Sequence, residues 1–288
     1  MSTEGARAAS TNGASANGSG SDSEPPLRLG GMALRNGLLI HGPTSWAIAA
    51  RAGDGSIEVA SGPKPSLARG GLAQTPLLRG PLRLAEALAV IPLARLRLGS
   101  ARLPFEDRSV LATMLLSSVA SGALRRLRPA TVGREAIVAA LGALPAVVAL
   151  RDRDLAAYHG VEHKAIGGYE RGADPAEVPK EHERCGSNLI APMLALSIGG
   201  QVLVERLARR PGPLVRAATA VAGVGAAVEL FVYAERNPET AVGRAVHGPG
   251  HEIQRLVSTR EPTAEQLEVG VAALREVLRA EERAAETH

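Results

Sequence analysis

Aromatic side chains are almost absent from this chain of 288 residues, since Phe, Trp and Tyr together make up 2% of it. The 45% that is hydrophobic is mostly Ala, Leu and Val, which favours helices over sheets rich in aromatic residues. There is a single cysteine, Cys185, so no intrachain disulfide can form and a small disulfide-framework protein is excluded. We therefore expect a mainly α-helical protein.

Signatures of nucleic-acid binding are also missing. The chain has no basic run with interleaved aromatics and no helix-turn-helix or zinc-knuckle spacing, so its net charge of +4 predicts no nucleic-acid partner. A basic chain can equally face an anionic membrane surface. Residues 1–26 hold almost nothing large and apolar, which predicts a disordered tail without the apolar core of a secretory signal.

Four apolar segments bounded by arginine dominate the middle of the chain, at about residues 109–124, 136–150, 188–204 and 214–234. They fit either buried helices of an Ala-rich soluble bundle or short transmembrane helices, and hydropathy alone leaves both alternatives open. Residues 76–98 are interrupted by arginines, which predicts an amphipathic helix lying on a surface.

The two ends of the main domain, residues 27–280, have their own patterns. Residues 45–51 and 56–61 flank Asp54-Gly55 and predict a β-hairpin. Near the C-terminus, Thr263 and Gln266 predict a capping box that begins a soluble amphipathic helix. Residues 281–288 are expected to form a tail.

The sequence motif that most clearly indicates metal binding or catalysis is H-x-x-E-H, formed by His159, Glu162 and His163. On a helix, residues four apart share a face, so the two imidazoles could bind one Zn²⁺ while Glu162 acts as general base on a water molecule. The alternative is a pair of exposed loop histidines. Gly160 and Gly167-Gly168 disfavour a long helix, so we expect a motif loop over residues 151–187.

Further ligands are expected nearby. His182 and Cys185 lie three residues apart, and four ligands would make a closed structural site, whereas three ligands and a water would make a catalytic one. Alone, Cys185 would be a small buried apolar residue. Glu229 is another candidate, because a carboxylate in an apolar segment is costly unless it binds metal or pairs with a nearby arginine.

A second histidine pair fits a metal site less well. His247 and His251 are also four apart, but Gly-Pro-Gly lies between them. That tripeptide breaks a helix, so the pattern predicts a loop there.

The stretches "YHGVEHKAIGGYE" and "HERCGSN" resemble the YqhQ-like family of bacterial proteins, a domain of unknown function sometimes labelled as predicted metal-dependent enzymes. The resemblance extends over roughly residues 30–280. The matching positions are Tyr158, His159, Glu162, His163, Lys164, Tyr169, Glu170, His182, Arg184, Cys185 and Gly186. The chain departs from the family at four positions: Asn36 replaces a Glu, His41 an Arg, Glu183 a Pro and Ser187 a Thr.

The resemblance implies an integral membrane protein of the bacterial cell membrane, with the lipid bilayer as partner and the four apolar segments as spans. We therefore predict a multi-pass helical membrane bundle with a small N-terminal β-hairpin region, its motif loop on the cytoplasmic side. One functional hypothesis is a metal-dependent hydrolase with Glu162 as catalytic base. The other is a non-catalytic membrane scaffold or assembly factor, in which the same residues form a structural metal site or a hydrogen-bonded polar centre.

Overall fold

The computed structural model describes residues 26–67, 75–126, 131–208 and 211–287. Within them lie four strands and eight α-helices. The strands are β1 (Gly30–Ala33), β2 (Gly37–His41), β3 (Ser45–Arg51) and β4 (Ile57–Pro63). The helices are α1 (Arg79–Arg97), α2 (Arg108–Arg126), α3 (Val132–Ala149), α4 (Arg153–Arg171), α5 (Ile190–Ala208), α6 (Pro213–Arg236), α7 (Ala241–Ile253) and α8 (Ala264–Glu286). The predicted tail over residues 1–26 falls almost wholly outside the described residues.

The four strands form one antiparallel sheet in the order β1-β2-β3-β4. Successive side chains of a strand point to opposite faces, and here both faces are buried. Leu38 and Ile40 pack with Ala47, Ala49 and residues of α4 and α8. The other face, which includes Leu39, Trp46 and Ile48, packs against α1. The sheet is therefore held between α1 on one side and α4 with α8 on the other.

The predicted hairpin is confirmed as β3 and β4, which are joined through a turn in which Gly55 has a φ of 88°. The amphipathic helix expected over residues 76–98 is found as α1. Strands β1 and β2 were not predicted. They are only four and five residues long, and β1 begins with two glycines, which are depleted in strands.

The C-terminal helix begins as predicted, with Thr263 and Gln266 forming a capping box. Val269, Ala273 and Val277 lie fully buried in the core beneath the sheet. The prediction of a tail from residue 281 is wrong, because α8 continues to Glu286. The extension positions Glu281 against the turn between β2 and β3.

Glu281 satisfies three donors of that turn. Its carboxylate accepts hydrogen bonds from the backbone amides of Thr44 and Ser45 at 2.9 and 2.8 Å and from the Thr44 hydroxyl at 2.7 Å. Because Glu281→Ala would leave these groups unpaired, we expect it to lower the free energy of unfolding by about 3 kcal/mol. Denaturant titration of the purified protein in mild detergent measures this.

Glu282→Ala is the matched control for that prediction, since Glu282 is the next residue on α8 and is exposed. It should change the free energy of unfolding by less than about 0.5 kcal/mol. Equal effects of the two substitutions would show that Glu281 does not anchor the helix to the sheet.

All four apolar segments form helices, namely α2, α3, α5 and α6. Of the described helices, three are long and apolar enough to cross a membrane: Val132–Ala149, Gly186–Ala208 and Pro213–Arg236, with mean hydropathy of 1.5–1.6. Only 17–22% of their apolar windows are buried within the protein. Exposed apolar helices of this length are compatible with a membrane protein.

The first apolar segment differs from the expectation. Helix α2 is not among the three membrane-length apolar helices of the described chain. Its serines, together with Arg125 and Arg126 in its last turn, lower its hydropathy. It nevertheless packs extensively along α3.

The loop predicted between His247 and His251 is wrong, because both residues lie on α7 with Pro249 inside the helix. Thr240 caps this helix by accepting a hydrogen bond from the Gly243 amide. Gly250 lies so close to Asn188 that a β-carbon would clash with it. Packing of the helix on this neighbour thus offsets its poor helix-forming sequence.

Candidate metal centre

The H-x-x-E-H motif lies on α4, so the prediction of a loop is wrong for residues 153–171. Asp152 caps the N-terminus of the helix by accepting hydrogen bonds from the Asp154 and Leu155 amides, and Gly172 ends it in the left-handed conformation. The internal glycines allow close packing rather than breaking the helix. A β-carbon on Gly160 would lie 2.3 Å from the Arg260 carbonyl oxygen.

Both imidazoles of the motif are oriented by backbone carbonyls. His159 Nδ1 lies 2.8 Å from the Ser258 carbonyl oxygen, and His163 Nδ1 lies 2.6 Å from that of Lys180. A carbonyl can only accept, so each Nδ1 must carry the proton. The Nε2 atom of the neutral His163 is left with its lone pair, which is the form in which histidine binds a metal.

Cys185 completes a cluster with the two histidines. One ligand atom from each of His159, His163 and Cys185 lies within 4.8 Å of the others. The Sγ of Cys185 is 3.5 Å from His159 Nε2, and a tetrahedral zinc ion with ordinary bond lengths separates its nitrogen and sulfur ligands by about 3.6 Å. The donor set and this distance fit zinc.

The Nε2 atom of His163 lies within the cluster without a hydrogen-bond partner in the part of the chain that the structure describes. His163 is 2% exposed, and its Nε2 is buried without any hydrogen-bond partner among the described residues. A buried polar atom without a partner costs roughly 1–3 kcal/mol. A metal ion between His163, His159 and Cys185 would remove that cost.

Burial and neighbouring groups shift the pKa values of the two histidines in opposite directions. Burial and the neighbouring His159 lower the pKa of His163 to about 2, so His163 stays neutral at physiological pH and keeps its lone pair. Burial also lowers the pKa of His159, but Cys185 and Glu162 raise it more strongly, to about 9. His159 is therefore protonated at physiological pH, and a metal ion would have to displace the proton on its Nε2.

His182 lies beside the cluster, its ring centroid 5.7 Å from that of His163, but its nitrogens have other partners. Its Nδ1 accepts a hydrogen bond from the Arg184 amide, and its Nε2 faces the Glu170 carboxylate at 3.2 Å. Since both ring nitrogens are occupied, the structure does not place a free lone pair of His182 beside His159 or Cys185. This arrangement favours the three-ligand alternative over the closed four-ligand site.

Glu229 does not reach the cluster either. Its carboxylate forms a bidentate ion pair with Arg79, with Oε1 2.7 Å from the Arg79 Nε. The predicted ligand role of Glu229 is therefore corrected to the arginine-pair alternative. The reason is that α1 packs against α6, which brings a cation to this carboxylate.

Glu162 lies at the edge of the cluster, its Oε2 4.0 Å from His159 Nε2. Burial raises the pKa of Glu162, while His159 and His182 act to lower it. Gly31 of β1 makes room for this side chain, because a β-carbon there would come within 2.8 Å of the Glu162 Cγ. Glu162 is thus a buried base beside the candidate metal position.

A cavity of about 580 Å³ opens onto these residues. Its wall includes His159, Glu162, His163 and Cys185. A volume of this size is typical of sites for small-molecule ligands. The cluster thus has room beside it for a small molecule.

The two N-terminal departures from the resembled family have separate roles. Asn36 stabilises a turn. Its side chain donates hydrogen bonds to the carbonyls of Arg51 and Ser100 and accepts one from the Arg102 amide. His41, in contrast, lines the cavity. Burial and the nearby Lys64 lower the pKa of His41 to about 4, so it adds a neutral imidazole to the cavity wall.

Sequence reasoning missed Gln254, which is fully buried beside the site. Its side chain accepts from the His182 amide at 2.7 Å and donates to the Ser187 hydroxyl at 2.8 Å. Gln254 opens the π-helical turn Gln254–Ser258, whose last carbonyl orients His159. A lone glutamine after a helix carries no sequence signal for such a role.

Lys164 holds the segment that orients His163. Its buried ammonium donates to the carbonyls of Ala176 and Val178 at 3.2 and 2.8 Å and pairs with Glu261 at 2.6 Å. Because Lys164→Met would leave the carbonyls unpaired, it should lower the free energy of unfolding by about 2–4 kcal/mol. Arg171→Met, at an exposed site on the same helix, should change it by less than about 0.5 kcal/mol. Comparable losses from both variants in denaturant titrations would contradict this role.

The family described as "Protein of unknown function (DUF1385)" matches residues 137–280. The match is half of the chain and includes all three residues of the cluster. The chain belongs to this family. Membership in the DUF1385 family does not identify a reaction. No curated protein and no solved structure matches the chain, so the functional argument rests on the site itself.

Proposed function

We propose that this DUF1385 protein, which we also assign to the YqhQ-like group, is a multi-pass membrane protein with a metal-dependent hydrolase centre at the membrane boundary. The observation that carries the proposal is the buried, unpartnered Nε2 of His163, which lies beside His159 and Cys185 at the wall of a cavity.

We infer the number of membrane crossings from the elements that lie on the same side of the membrane as the motif helix α4. Helix α3 ends and α5 begins beside the motif, and α6 leads back to α7, which packs against residues 186–189. The sheet lies on that same side, since it packs on α4 and α8. In this proposal helix α2 also crosses the bilayer to reach the start of α3, although it is less apolar than the three membrane-length helices.

The start of α2 supports this topology. Asp107, just before α2, pairs with Arg35 of the β1–β2 turn at 3.2 Å, and Arg35 also pairs with Asp152 before α4 at 2.7 Å. We infer two helical hairpins, α2–α3 and α5–α6, with the sheet, α4, α7 and α8 outside the membrane. The motif side is assigned to the cytoplasm.

In the proposed reaction, His159, His163 and Cys185 hold a divalent ion, with zinc the best match to two nitrogens and one sulfur. The ion would supply Lewis-acid polarisation of the substrate. Glu162 takes a proton from water as the water oxygen bonds to the electrophilic centre of the substrate. The bond to the leaving group breaks, and Glu162 returns the proton to that group.

The second candidate is a non-catalytic scaffold in which the same three residues form a structural metal site. Two observations favour the enzyme. Structural zinc sites have four protein ligands, whereas the structure brings three together, and a cavity lies beside them.

Two assays test the proposal as a whole. The chain should stay with membranes after a high-salt wash and, once purified in detergent, contain about one divalent ion per chain. A chain released by salt, or a folded protein without metal, would overturn it.

A further inference from the structure

The cavity at the metal centre has both polar and apolar walls. Its polar side chains are His41, His159, Glu162, His163, His182, Arg184, Cys185, Ser187 and Ser258. Much of the remaining wall is apolar and includes Leu29 and Met32 of the N-terminal region, Leu155 and Ile166 of α4, and Ala146, Ala149, Leu150 and Ile190. A small, fully polar substrate would leave that apolar wall in contact with water or empty.

Part of the apolar wall is built from the ends of two proposed membrane spans. Ala146 and Ala149 lie in the last turn of α3, and Ile190 is the first residue of α5. Both helices are long and apolar enough to cross a bilayer, and they pack against each other. Ile190 is 39% exposed. The apolar part of the cavity thus lies at the level where the hydrocarbon core of a bilayer would end.

We propose that the occupant of this cavity is a membrane amphiphile with an apolar chain, which is a substrate class and therefore rests on the hydrolase function above. The hydrolysable polar end of the molecule lies at His159, His163 and Cys185. Its chain lies against Ala149 of α3 and Ile190 of α5 and continues towards the bilayer. Such a molecule reaches the metal centre without its chain passing through water, which is the unfavourable step for a long apolar group.

Alkyl hydroxamates of two lengths test this proposal, because the hydroxamate group chelates zinc and the chain reports on the apolar wall. Binding of hexanohydroxamate and dodecanohydroxamate is measured on the purified, metal-loaded full chain in nanodiscs. The His159→Ala/His163→Ala protein corrects for partition into lipid. Each methylene buried in an apolar site strengthens binding roughly fourfold. With three or four of the extra methylenes buried, the longer probe should bind about 100-fold more tightly.

Substitutions in the apolar wall test where the alkyl chain of the probe lies. Ala149→Trp should remove most of that length dependence, and the metal content of the variant is measured alongside to show that the ion is still bound. Val147→Trp is the control, since Val147 is on the same helix and 48% exposed but does not line the cavity. If Ala149→Trp does not fold, Ile190→Trp makes the same test from α5.

A second probe is independent of the metal. A diazirine-bearing long-chain alcohol, activated by light, should label peptides that contain residues 146–150 and 190. The outcomes separate the two proposals. A metal-loaded protein that binds both hydroxamates equally, in which Ala149→Trp changes nothing, overturns the amphiphile and keeps the hydrolase. A metal-free protein overturns the hydrolase. Labelling at the α3–α5 wall then still supports an apolar occupant, and labelling elsewhere overturns it.

Discussion

A chain carrying His159→Ala and His163→Ala is expected to lose its divalent ion, from about one per chain to less than about a tenth. The double change removes two of the three ligands, and Cys185 alone cannot hold zinc against a chelating buffer. Element analysis of the detergent-purified protein measures the loss. The fold should survive, because α4 keeps its cap at Asp152 and its contacts through Val161 and Ile166.

The chain supplies a matched control for this experiment. His247 and His251 are also four residues apart on a helix, but they lie outside the cluster of His159, His163 and Cys185. The variant His247→Ala/His251→Ala should keep its metal. If both double variants retain metal, or both lose it, the ion is not bound where we place it.

Glu162→Gln is expected to keep the metal and the fold but to lower turnover by about 10²–10⁴-fold. The amide has the size of the carboxylate, so the close contact with Gly31 is preserved. It cannot take a proton from water, however. Turnover is measured with a panel of chromogenic long-chain esters and amides, and by complementation of a strain that lacks the protein.

Asp154→Asn is the control for the loss of a carboxylate, because Asp154 is exposed on the first turn of the same helix. It should retain near-normal turnover. The scaffold hypothesis makes the opposite prediction for Glu162→Gln, namely unchanged complementation with unchanged metal content. That result would leave the structural metal site as the better account.

Much of the helical architecture could be predicted from the sequence, because helix signals are local. The apolar runs bounded by arginine became helices, and Thr263 with Gln266 correctly located the start of α8. Helix α4 was missed because glycine was counted only as a helix breaker. The cost of Gly160 is offset by the close approach of the Arg260 backbone, a contact between residues 100 positions apart.

The grouping of His159, His163 and Cys185 could also be predicted in part from local signals in the sequence. The spacing of His159 and His163 follows from helix geometry, and Cys185 is the single cysteine of the chain. The carbonyls of Ser258 and Lys180, which fix the two tautomers, could not be predicted, since every residue type provides a carbonyl. The pairing of Glu229 with Arg79 depends on the packing of α1 on α6, which no local pattern encodes.

The most direct measurement of the central claim is X-ray absorption at the metal edge of the purified protein. We expect one divalent ion with a mixed first shell: two imidazole nitrogens at about 2.0–2.1 Å and one sulfur at about 2.3 Å, with the remaining position occupied by a light atom. In Cys185→Ser the sulfur contribution should disappear while the imidazole contribution remains. A wild-type shell without sulfur, or with a single imidazole, would contradict a centre formed by His159, His163 and Cys185.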